Sequence, residues 1–378
     1  MDNKEIRKKI IITEVTLVVG ILARDCVTHL RLNIPRIEQL GSMFADYHVV
    51  ILENDSKDGT AEEVKAWGKR NDHVLAISGL SKSSKPLPHE ECPHPDKGFR
   101  RIDKMVRLRN RVMDEIEVRY NPDILCFIDI DIQSFSPIEV VQAIEHAPND
   151  WGGLFANGIV YWDDFMGHTS IRPMQYDTYA YVPAGCDYTQ QDDYVVTDFF
   201  HPQTGYKMMS DIQQTDYLAC ESAFNGIGIY RYEAIKGERY ATLQNEALKA
   251  MNCSFCEHVG FNYRVKEKGY GLYIAKQMRV EYIHENIQEM IPIIVKDYHG
   301  IFSLPDSELP EPVKALKPGM LAIISGYYQQ KIDVDRLKSE LSKLRSKKRR
   351  YLRMVRILAV ICTTILLCVF AFVLCLYN

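Results

Sequence analysis

Two aspartates, Asp129 and Asp131, follow a run of apolar residues at 124–128 that is typical of a buried strand. Carboxylates this close repel each other, and a divalent cation between or beside them removes the repulsion. A Mg²⁺ or Mn²⁺ ion held in this way can bind a diphosphate and stabilise it as a leaving group. The spacing predicts a metal site with both aspartates as ligands, and an ordinary solvated strand end is the structural alternative.

A basic residue, Arg109, falls inside an apolar helical face. A helix is predicted at 101–118, and its apolar residues recur at helical spacing: Ile102, Met105, Val106, Val112, Met113 and Ile116. Arg109 lies in the middle of this stripe, whereas Lys104, Arg107 and Arg111 are expected on the other side. A guanidinium in a core-facing row needs a charge partner or a cleft. We therefore expect Arg109 either to pair with a structural carboxylate or to bind a donor phosphate.

The elements that would position these residues alternate between strand and helix over the first 150 residues. Strands are predicted at 15–22, 49–52, 74–77 and 124–128. The helix after the first strand is expected to be interrupted near Pro35. This alternation predicts a parallel sheet with right-handed crossovers, which binds ligands at the carboxyl ends of its strands. Both acidic clusters, residues 53–55 and 129–131, follow predicted strands.

The second half of the chain gives a weaker pattern. Residues 151–225 are rich in Tyr, Asp, Gly and Trp and weakly periodic, which favours an irregular substrate-binding region. Strands are predicted at 224–230, 271–275 and 279–283, and a helix at 257–268 ends before Gly269. The expected fold class is α/β, with a mostly parallel sheet flanked by helices.

Several motifs resemble those of GT-A glycosyltransferases. They are Glu53-Asn54-Asp55-Ser56-Lys57-Asp58-Gly59-Thr60, then Leu108-Arg109-Asn110, then the Asp129/Asp131 pair. The likeness is greatest to the group that contains the fungal capsule-associated α-1,3-mannosyltransferases. Phe224-Asn225-Gly226-Ile227-Gly228-Ile229-Tyr230 and Cys256-Glu257-His258-Val259 are also similar to that family's later segments. The resemblance covers roughly residues 14–285 and implies the Rossmann-like GT-A fold and the use of a nucleotide sugar.

The resemblance implies a reaction and a set of site residues. A sugar, for which that family's pattern favours mannose, would pass from a GDP- or UDP-sugar donor to a glycan or lipid-linked acceptor, with Mn²⁺ or Mg²⁺ as cofactor. The implied nucleotide-binding residues are Ala23, Arg24, Glu53, Asp55 and Asp129. The implied metal ligands are Asp129, Asp131 and His284. The implied catalytic residues are Asp131, Arg109 and Glu257.

Two of these assignments have structural alternatives. Glu257 opens a helix at the place where GT-A enzymes often have an acid that contacts the acceptor, but a glutamate in a first helical turn also stabilises the helix dipole. Asp163 or Asp164 could serve the acceptor instead. His284 follows the last predicted strand, where a third metal ligand often lies in this fold, and a surface histidine is the commoner case. A retaining transfer would need no acceptor base.

Residues 357–376 contain no charge and no proline, and twenty helical residues span about 30 Å of hydrocarbon. They predict one transmembrane helix. Residues 331–356 carry eleven Lys/Arg against three Asp/Glu, and basic residues stay on the cytoplasmic side. The expected domains are a nucleotide-sugar half at 1–150, an acceptor half at 151–300, a linker and basic helical stalk at 301–356, and the anchor. The catalytic domain is predicted to be cytoplasmic.

Charge and cysteine content indicate which partners and which cellular compartment fit the chain. The net charge is −4 and the basic residues cluster at the stalk, so a nucleic-acid partner is not expected. The ten cysteines have no framework spacing, which fits a reducing compartment. Cys253-x-x-Cys256, with Cys92 and His94 elsewhere, could hold zinc, although no second clear pair is present.

Two other functions fit part of the sequence. Residues 127–131 also fit the nucleophile motif of haloacid-dehalogenase-like phosphatases. That motif has Thr two residues after the second aspartate, whereas this chain has Gln133 there. A catalytically inactive GT-A domain that serves as a membrane scaffold is the second alternative. Two measurements, manganese-dependent binding of a nucleotide diphosphate and release of phosphate, distinguish the glycosyltransferase, phosphatase and scaffold hypotheses.

Overall fold

The computed structural model describes residues 9–78, 98–162, 172–187, 202–282 and 303–308, with single positions and pairs between 314 and 343. Its contacts divide the chain into two compact units, Met1–Ile287 and Gln288–Asn378. Within the described residues, no helix has both the length and the apolar character needed to cross a membrane. The span predicted at 357–376 lies outside these residues. Of the basic segment before it, positions 336, 339 and 343 are described, and each is helical.

The first unit begins with alternating strands and helices. They are β1 (Thr16–Ala23), α1 (Val27–Ser42), β2 (Asp46–Glu53), α2 (Thr60–Arg70), β3 (Val74–Ile77), α3 (Phe99–Arg119), β4 (Ile124–Asp129), β5 (Ser134–Phe135) and α4 (Pro137–Glu145). The remaining elements are β6 (Trp151–Trp162), β7 (Arg172–Gln175), β8 (Val182–Pro183), α5 (Pro202–Gln213), β9 (Tyr217–Ser222), β10 (Ile227–Arg231), α6 (Tyr232–Ile235), α7 (Glu246–Ala250), α8 (Glu257–Glu267) and β11 (Gly271–Tyr282).

The strands form a mixed sheet in the order β3-β2-β1-β4-β10-β6-β11-β9-β8. The pairs β3–β2, β2–β1 and β1–β4 are parallel, as the sequence predicts. β10 is antiparallel to both β4 and β6, and β11 is parallel to β6. β1 lies between β2 and β4, so the carboxyl ends of all three strands share one edge. The expected α/β fold with a parallel first half is confirmed, and the second half is mixed.

Helices cover the sheet on both faces because the central strands are apolar on both sides. Leu17, Val19 and Ile21 of β1 belong to one buried cluster, which includes residues of α1, α2 and α4. Val18 belongs to a second cluster, which includes residues of α3, α5 and α8. Each fully buried Leu, Ile or Val stabilises the fold by about 1.5–3 kcal/mol relative to exposure. Helix α3 is therefore fixed against β1 and β2, and its buried stripe carries Arg109 beneath the carboxyl edge.

The interruption predicted near Pro35 is wrong, because α1 runs unbroken from Val27 to Ser42 with Pro35 inside it. Proline lacks the N–H that would donate to the carbonyl four residues earlier. The loss is local, and the buried face of the helix, which includes Leu30, Ile34 and Ile37, continues across the proline. Tertiary packing thus outweighs the unfavourable local preference.

The irregular structure predicted at 151–225 is wrong for the residues that the structure describes in this range, 151–162, 172–187 and 202–225. Residues 151–160 are all buried in β6, and this segment further contains β7, β8, α5 and β9. A strand covered on both faces has no alternation of apolar and polar residues. In β6, three glycines also interrupt the apolar run, so the sequence gives no clear strand signal. The two strands predicted at 271–283 are one strand, β11, whose pairing with β6 shifts register between Ile274 and Arg279.

Candidate active site

Hydrogen bonds join the loops after β1 and β2 at the carboxyl edge of the sheet. Asp25 and Asp55 adopt positive φ angles of 47° and 59°, which aspartate tolerates because its short side chain can bond to nearby backbone. The Lys57 amide donates to Asp25 Oδ1 at 2.7 Å, and the Val27 amide donates to Asp58 Oδ2 at 2.9 Å. These hydrogen bonds therefore hold the two loops together at the carboxyl edge of the sheet.

The residues predicted to bind the nucleotide differ in what they can offer. Ala23 is buried at the end of β1, and Arg24 is exposed. Glu53 is buried and already accepts hydrogen bonds on both oxygens, from the Ser56 amide at 2.9 Å and the Ser78 hydroxyl at 2.7 Å. Glu53 thus shapes the loop. Of the two acids predicted to hold the nucleoside, Asp55 is the more open, with 24% of its side chain exposed.

Lys104 lies next to Asp55, which the sequence did not predict. Its Nζ is 3.4 Å from Asp55 Oδ2, and only 20% of its side chain is exposed. Arg107 and Arg111 are on the exposed side of α3, as predicted. A lysine stem is long enough to lie along the apolar stripe while its ammonium reaches a polar edge, so helical spacing alone misplaces it.

Arg109 is buried, as its place in the apolar stripe predicts, and it bridges two carboxylates. Its Nε donates to Glu257 Oε1 at 2.9 Å, and its Nη2 lies 3.6 Å from Asp129 Oδ1. Just 5% of the Arg109 side chain and 6% of the Glu257 side chain are exposed. Breaking a buried pair of this kind by removing one partner costs about 3–5 kcal/mol. The structure therefore supports the ion-pair alternative for Arg109, and it joins α3, β4 and α8.

Asp129 and Asp131 stand at the carboxyl end of β4. The Asp129 amide donates to the Gly226 carbonyl at 2.8 Å, which ties β4 to the turn before β10. The Tyr282 hydroxyl donates to Asp131 Oδ2 at 3.2 Å, and the Tyr282 ring stacks on Tyr176 at 4.3 Å. Burial raises the pKa of Asp129 to about 8, while Arg109 lowers it and the charge of Asp131 raises it further. A cation beside this pair would favour the ionised carboxylates.

Asp177 is a further acid of this cluster that the sequence did not predict. Its Oδ2 accepts from the Asn225 amide at 3.3 Å, and both residues have positive φ, 60° and 58°. Burial raises its pKa to about 7, with the charge of Glu257 also acting to raise it. Asp177 sits in a segment without periodicity, and its partner is 48 positions away along the chain. No sequence signal marks it, although Asn225-Gly226 is a recognisable turn dipeptide.

The start of α8 places a histidine and a thiol beside Glu257. His258 is buried and stacks on Phe224, with ring centroids 3.9 Å apart. Burial, and then Arg109, lower its pKa well below the usual value. The Cys256 thiol donates to Glu257 Oε2 at 3.7 Å, and burial raises its pKa. Cys253 instead points its thiol at the Met251 carbonyl, so the Cys253/Cys256 pair shows no zinc-like convergence.

Several predicted residues cannot be placed. His284, Asp163, Asp164, Cys92 and His94 lie outside the described residues. In the described parts of the chain, no three or more His, Cys, Asp or Glu side chains group to hold a metal ion. Asp129 and Asp131 alone still fit Mg²⁺ or Mn²⁺, because these ions are commonly held by one or two carboxylates together with substrate phosphates and water.

No protein-family model matches this chain, and no curated protein matches its sequence. One similar solved structure is a mannosyltransferase from Pyrobaculum calidifontis in complex with GDP-mannose and Mn²⁺; the TM-score is 0.41, the identity 9%, and the match covers 82% of this chain and 69% of that chain. Another is S. aureus TarS 1–349 in complex with UDP-GlcNAc, with a TM-score of 0.37, 13% identity, and coverage of 82% and 71%.

A third similar structure is GalNAc-T7 with UDP, GalNAc and Mn²⁺, with a TM-score of 0.38, 12% identity, and coverage of 81% of this chain and 54% of that chain. The resemblance to the fungal mannosyltransferases stays a prediction.

Proposed function

We propose that this protein is a metal-dependent glycosyltransferase that moves a sugar from a nucleotide diphosphate sugar to a glycan or lipid-linked acceptor. Mannose is the sugar that the sequence resemblance favours. We further propose a single C-terminal membrane anchor, with the catalytic domain in the cytoplasm, from the charge pattern of residues 331–376.

One observation carries the proposal: two acidic strand ends share an edge of the sheet and are both contacted by one helix. Asp55 follows β2 and contacts Lys104 of α3, while Asp129 ends β4 and contacts Arg109 of the same helix. A nucleoside at one end and a metal-bound diphosphate at the other would suit this spacing, because ligands of such sheets bind at the carboxyl ends of the strands.

The side chains have distinct roles in this proposal. Asp129 and Asp131 would hold the metal, which when bound supplies positive charge to the departing diphosphate. Asp55 would contact the nucleoside. Arg109 holds Asp129 and Glu257 in place and offsets part of their charge. If the transfer inverts the anomeric carbon, a carboxylate must accept the acceptor's proton; Asp177 and Glu257 are the candidates whose charges act on Asp129.

The test uses the full-length chain in detergent with Mn²⁺ and radiolabelled GDP-mannose, UDP-glucose and UDP-N-acetylglucosamine. We expect one donor to be consumed in a Mn²⁺-dependent manner, by transfer of its sugar to an added glycan acceptor or, more slowly, to water, with loss of activity in EDTA. Asp131→Asn should remove this activity and leave the melting temperature within a few degrees, because it deletes one charge on an exposed strand end. Glu145→Gln, an exposed change at the end of α4, is the matched control.

The alternatives give different results in the same assay. A haloacid-dehalogenase-like phosphatase releases inorganic phosphate from phosphate esters and consumes no sugar nucleotide. An inactive scaffold shows neither reaction. Full activity of Asp131→Asn, or full wild-type activity in EDTA, would contradict the proposed mechanism.

A further inference from the structure

We propose that Lys104 is a protein cation that binds the diphosphate of the donor, a role that the sequence left open for Arg109. The inference rests on the proposed function, and it adds a phosphate-binding residue to that site. It follows from where Lys104 and Arg109 lie on α3, which carboxylates they contact and how exposed those ion pairs are.

The position of Lys104 is the first step. It contacts Asp55 at the nucleoside end of the edge, and Arg109, five residues later, contacts Asp129 at the metal end. Five helical residues cover about 7.5 Å along the axis. A donor whose nucleoside meets Asp55 and whose diphosphate reaches a metal at Asp129 must cross this interval. In this arrangement its phosphates would come close to the second turn of α3, where Lys104 lies.

The pairing of the two cations decides which one can turn to a phosphate. The Arg109–Glu257 contact is short, at 2.9 Å, and almost fully buried. Breaking the Arg109–Glu257 contact would leave a buried carboxylate without a charge partner, which is strongly unfavourable. The Lys104–Asp55 contact is longer, at 3.4 Å, and both side chains are partly exposed, 20% and 24%. Partly exposed pairs contribute little stability, so an incoming phosphate can replace Asp55 as the partner of Lys104 at small cost.

The charge of Asp55 fits such an exchange. The hydrogen bond from the Asn54 amide group, and next the one from Lys104, lower the pKa of Asp55. Asp55 is therefore ionised at neutral pH and holds the ammonium at the edge of the site. A diphosphate offers the ammonium more negative charge than one carboxylate does. Lysine is well suited to the exchange because it acts as a compact point charge with three rotatable donors.

The experiment measures equilibrium binding by the full-length chain in Mg²⁺, with two probes: the nucleoside diphosphate that the wild-type chain binds more tightly, GDP or UDP, and inorganic diphosphate. We expect Lys104→Gln to weaken both probes by a similar factor of tenfold or more, because each loses a charge-assisted contact. Lys104→Arg keeps a cation and should retain affinity within about threefold. Arg107→Gln, on the exposed side of the same helix, should leave both affinities unchanged.

Three results would overturn the inference. Lys104→Gln could bind both probes as tightly as wild type. It could weaken the nucleoside diphosphate alone, which would make Lys104 a support for the nucleoside pocket through Asp55. Arg107→Gln could cause the same loss, which would reduce the effect to general charge. In each case wild-type binding leaves the proposed function intact. If the wild-type chain binds neither probe, the proposed function and this inference both fail.

Discussion

Arg109 is enclosed by aromatic rings as well as by carboxylates. Its Cζ lies 5.1 Å from the ring centre of Phe224 and 5.7 Å from those of Phe127 and Tyr240. Ring faces are attractive to a guanidinium that has lost its water. At the residue scale, then, Arg109 connects three elements. Its loss would leave Glu257 buried without a charge partner, at a cost in folding free energy.

That cost can be measured with a double-mutant cycle. Arg109→Met should lower the free energy of unfolding by about 3–5 kcal/mol, because Glu257 is left buried without its partner. Arg109→Met combined with Glu257→Met should be less unstable than the sum of the single changes, by on the order of 2 kcal/mol. Urea unfolding at pH 7.5 gives these values. Additive losses would show that the pair is not coupled. Arg111→Met, at an exposed pair, is the control and should cost at most about 1 kcal/mol.

His258 makes the fold sensitive to acid. Its ring nitrogens make no hydrogen bond with any described residue, and burial followed by Arg109 lowers its pKa well below the usual value. As pH falls, the unfolded chain therefore takes up this proton before the folded chain does, and stability falls with it. The window opens below about pH 6.5, the ordinary pKa of histidine.

His258→Phe should remove this contribution. Between pH 7.5 and pH 5.0 the wild-type chain should lose roughly 2 kcal/mol more unfolding free energy than the variant loses. Any packing change from the new ring acts at both pH values and cancels in the comparison. Urea unfolding at the two pH values is the measurement, with exposed His146→Gln as the control. Equal losses in wild type and His258→Phe would show that His258 is protonated in the folded state.

At the scale of the elements, the sequence predicts those whose residues carry a local period. The parallel strands β1 to β4 and helix α3 lie where they are predicted, because one buried stripe or run defines each. Arg109 and the Asp129/Asp131 pair could be found for the same reason. β6 could not, since burial on both faces removes the period. Lys104 and Asp177 could not either, because their partners are far away along the chain.

Helix α1 gives a prediction at this scale. Pro35 is exposed in the interior of a 16-residue helix. Pro35→Ala restores a donor to the Arg31 carbonyl and removes the ring's clash with it, while giving the unfolded chain some added freedom. We expect a net gain of about 1–2 kcal/mol in unfolding free energy. Urea unfolding tests this, with Gln39→Ala on the same exposed side as control. A loss of stability would show that the proline ring makes packing contacts that alanine cannot replace.

At the scale of the whole molecule, the first unit has its own buried clusters and should fold without the C-terminal segment. A chain ending at residue 334 should remain in the supernatant after a salt wash of membranes, because it lacks both the basic residues after 334 and the span predicted at 357–376. The full-length chain should need detergent. Circular dichroism of the truncated chain checks that it is folded. If the truncated protein still pellets with membranes, a single C-terminal anchor is the wrong account.

The position of β10 in the sequence has a consequence for how the chain folds during its synthesis. β4 ends at Asp129, yet its neighbour β10 begins at Ile227, about 100 residues later, and closing such a loop carries a large entropic cost. Until β10 leaves the ribosome, β4 presents an unpaired apolar edge that other chains can extend. Folding should therefore be slow and dominated by long-range pairing. Nascent chains that stop between β4 and β10 are expected to recruit chaperones or aggregate, whereas chains that have passed residue 231 can pair β10 with β4.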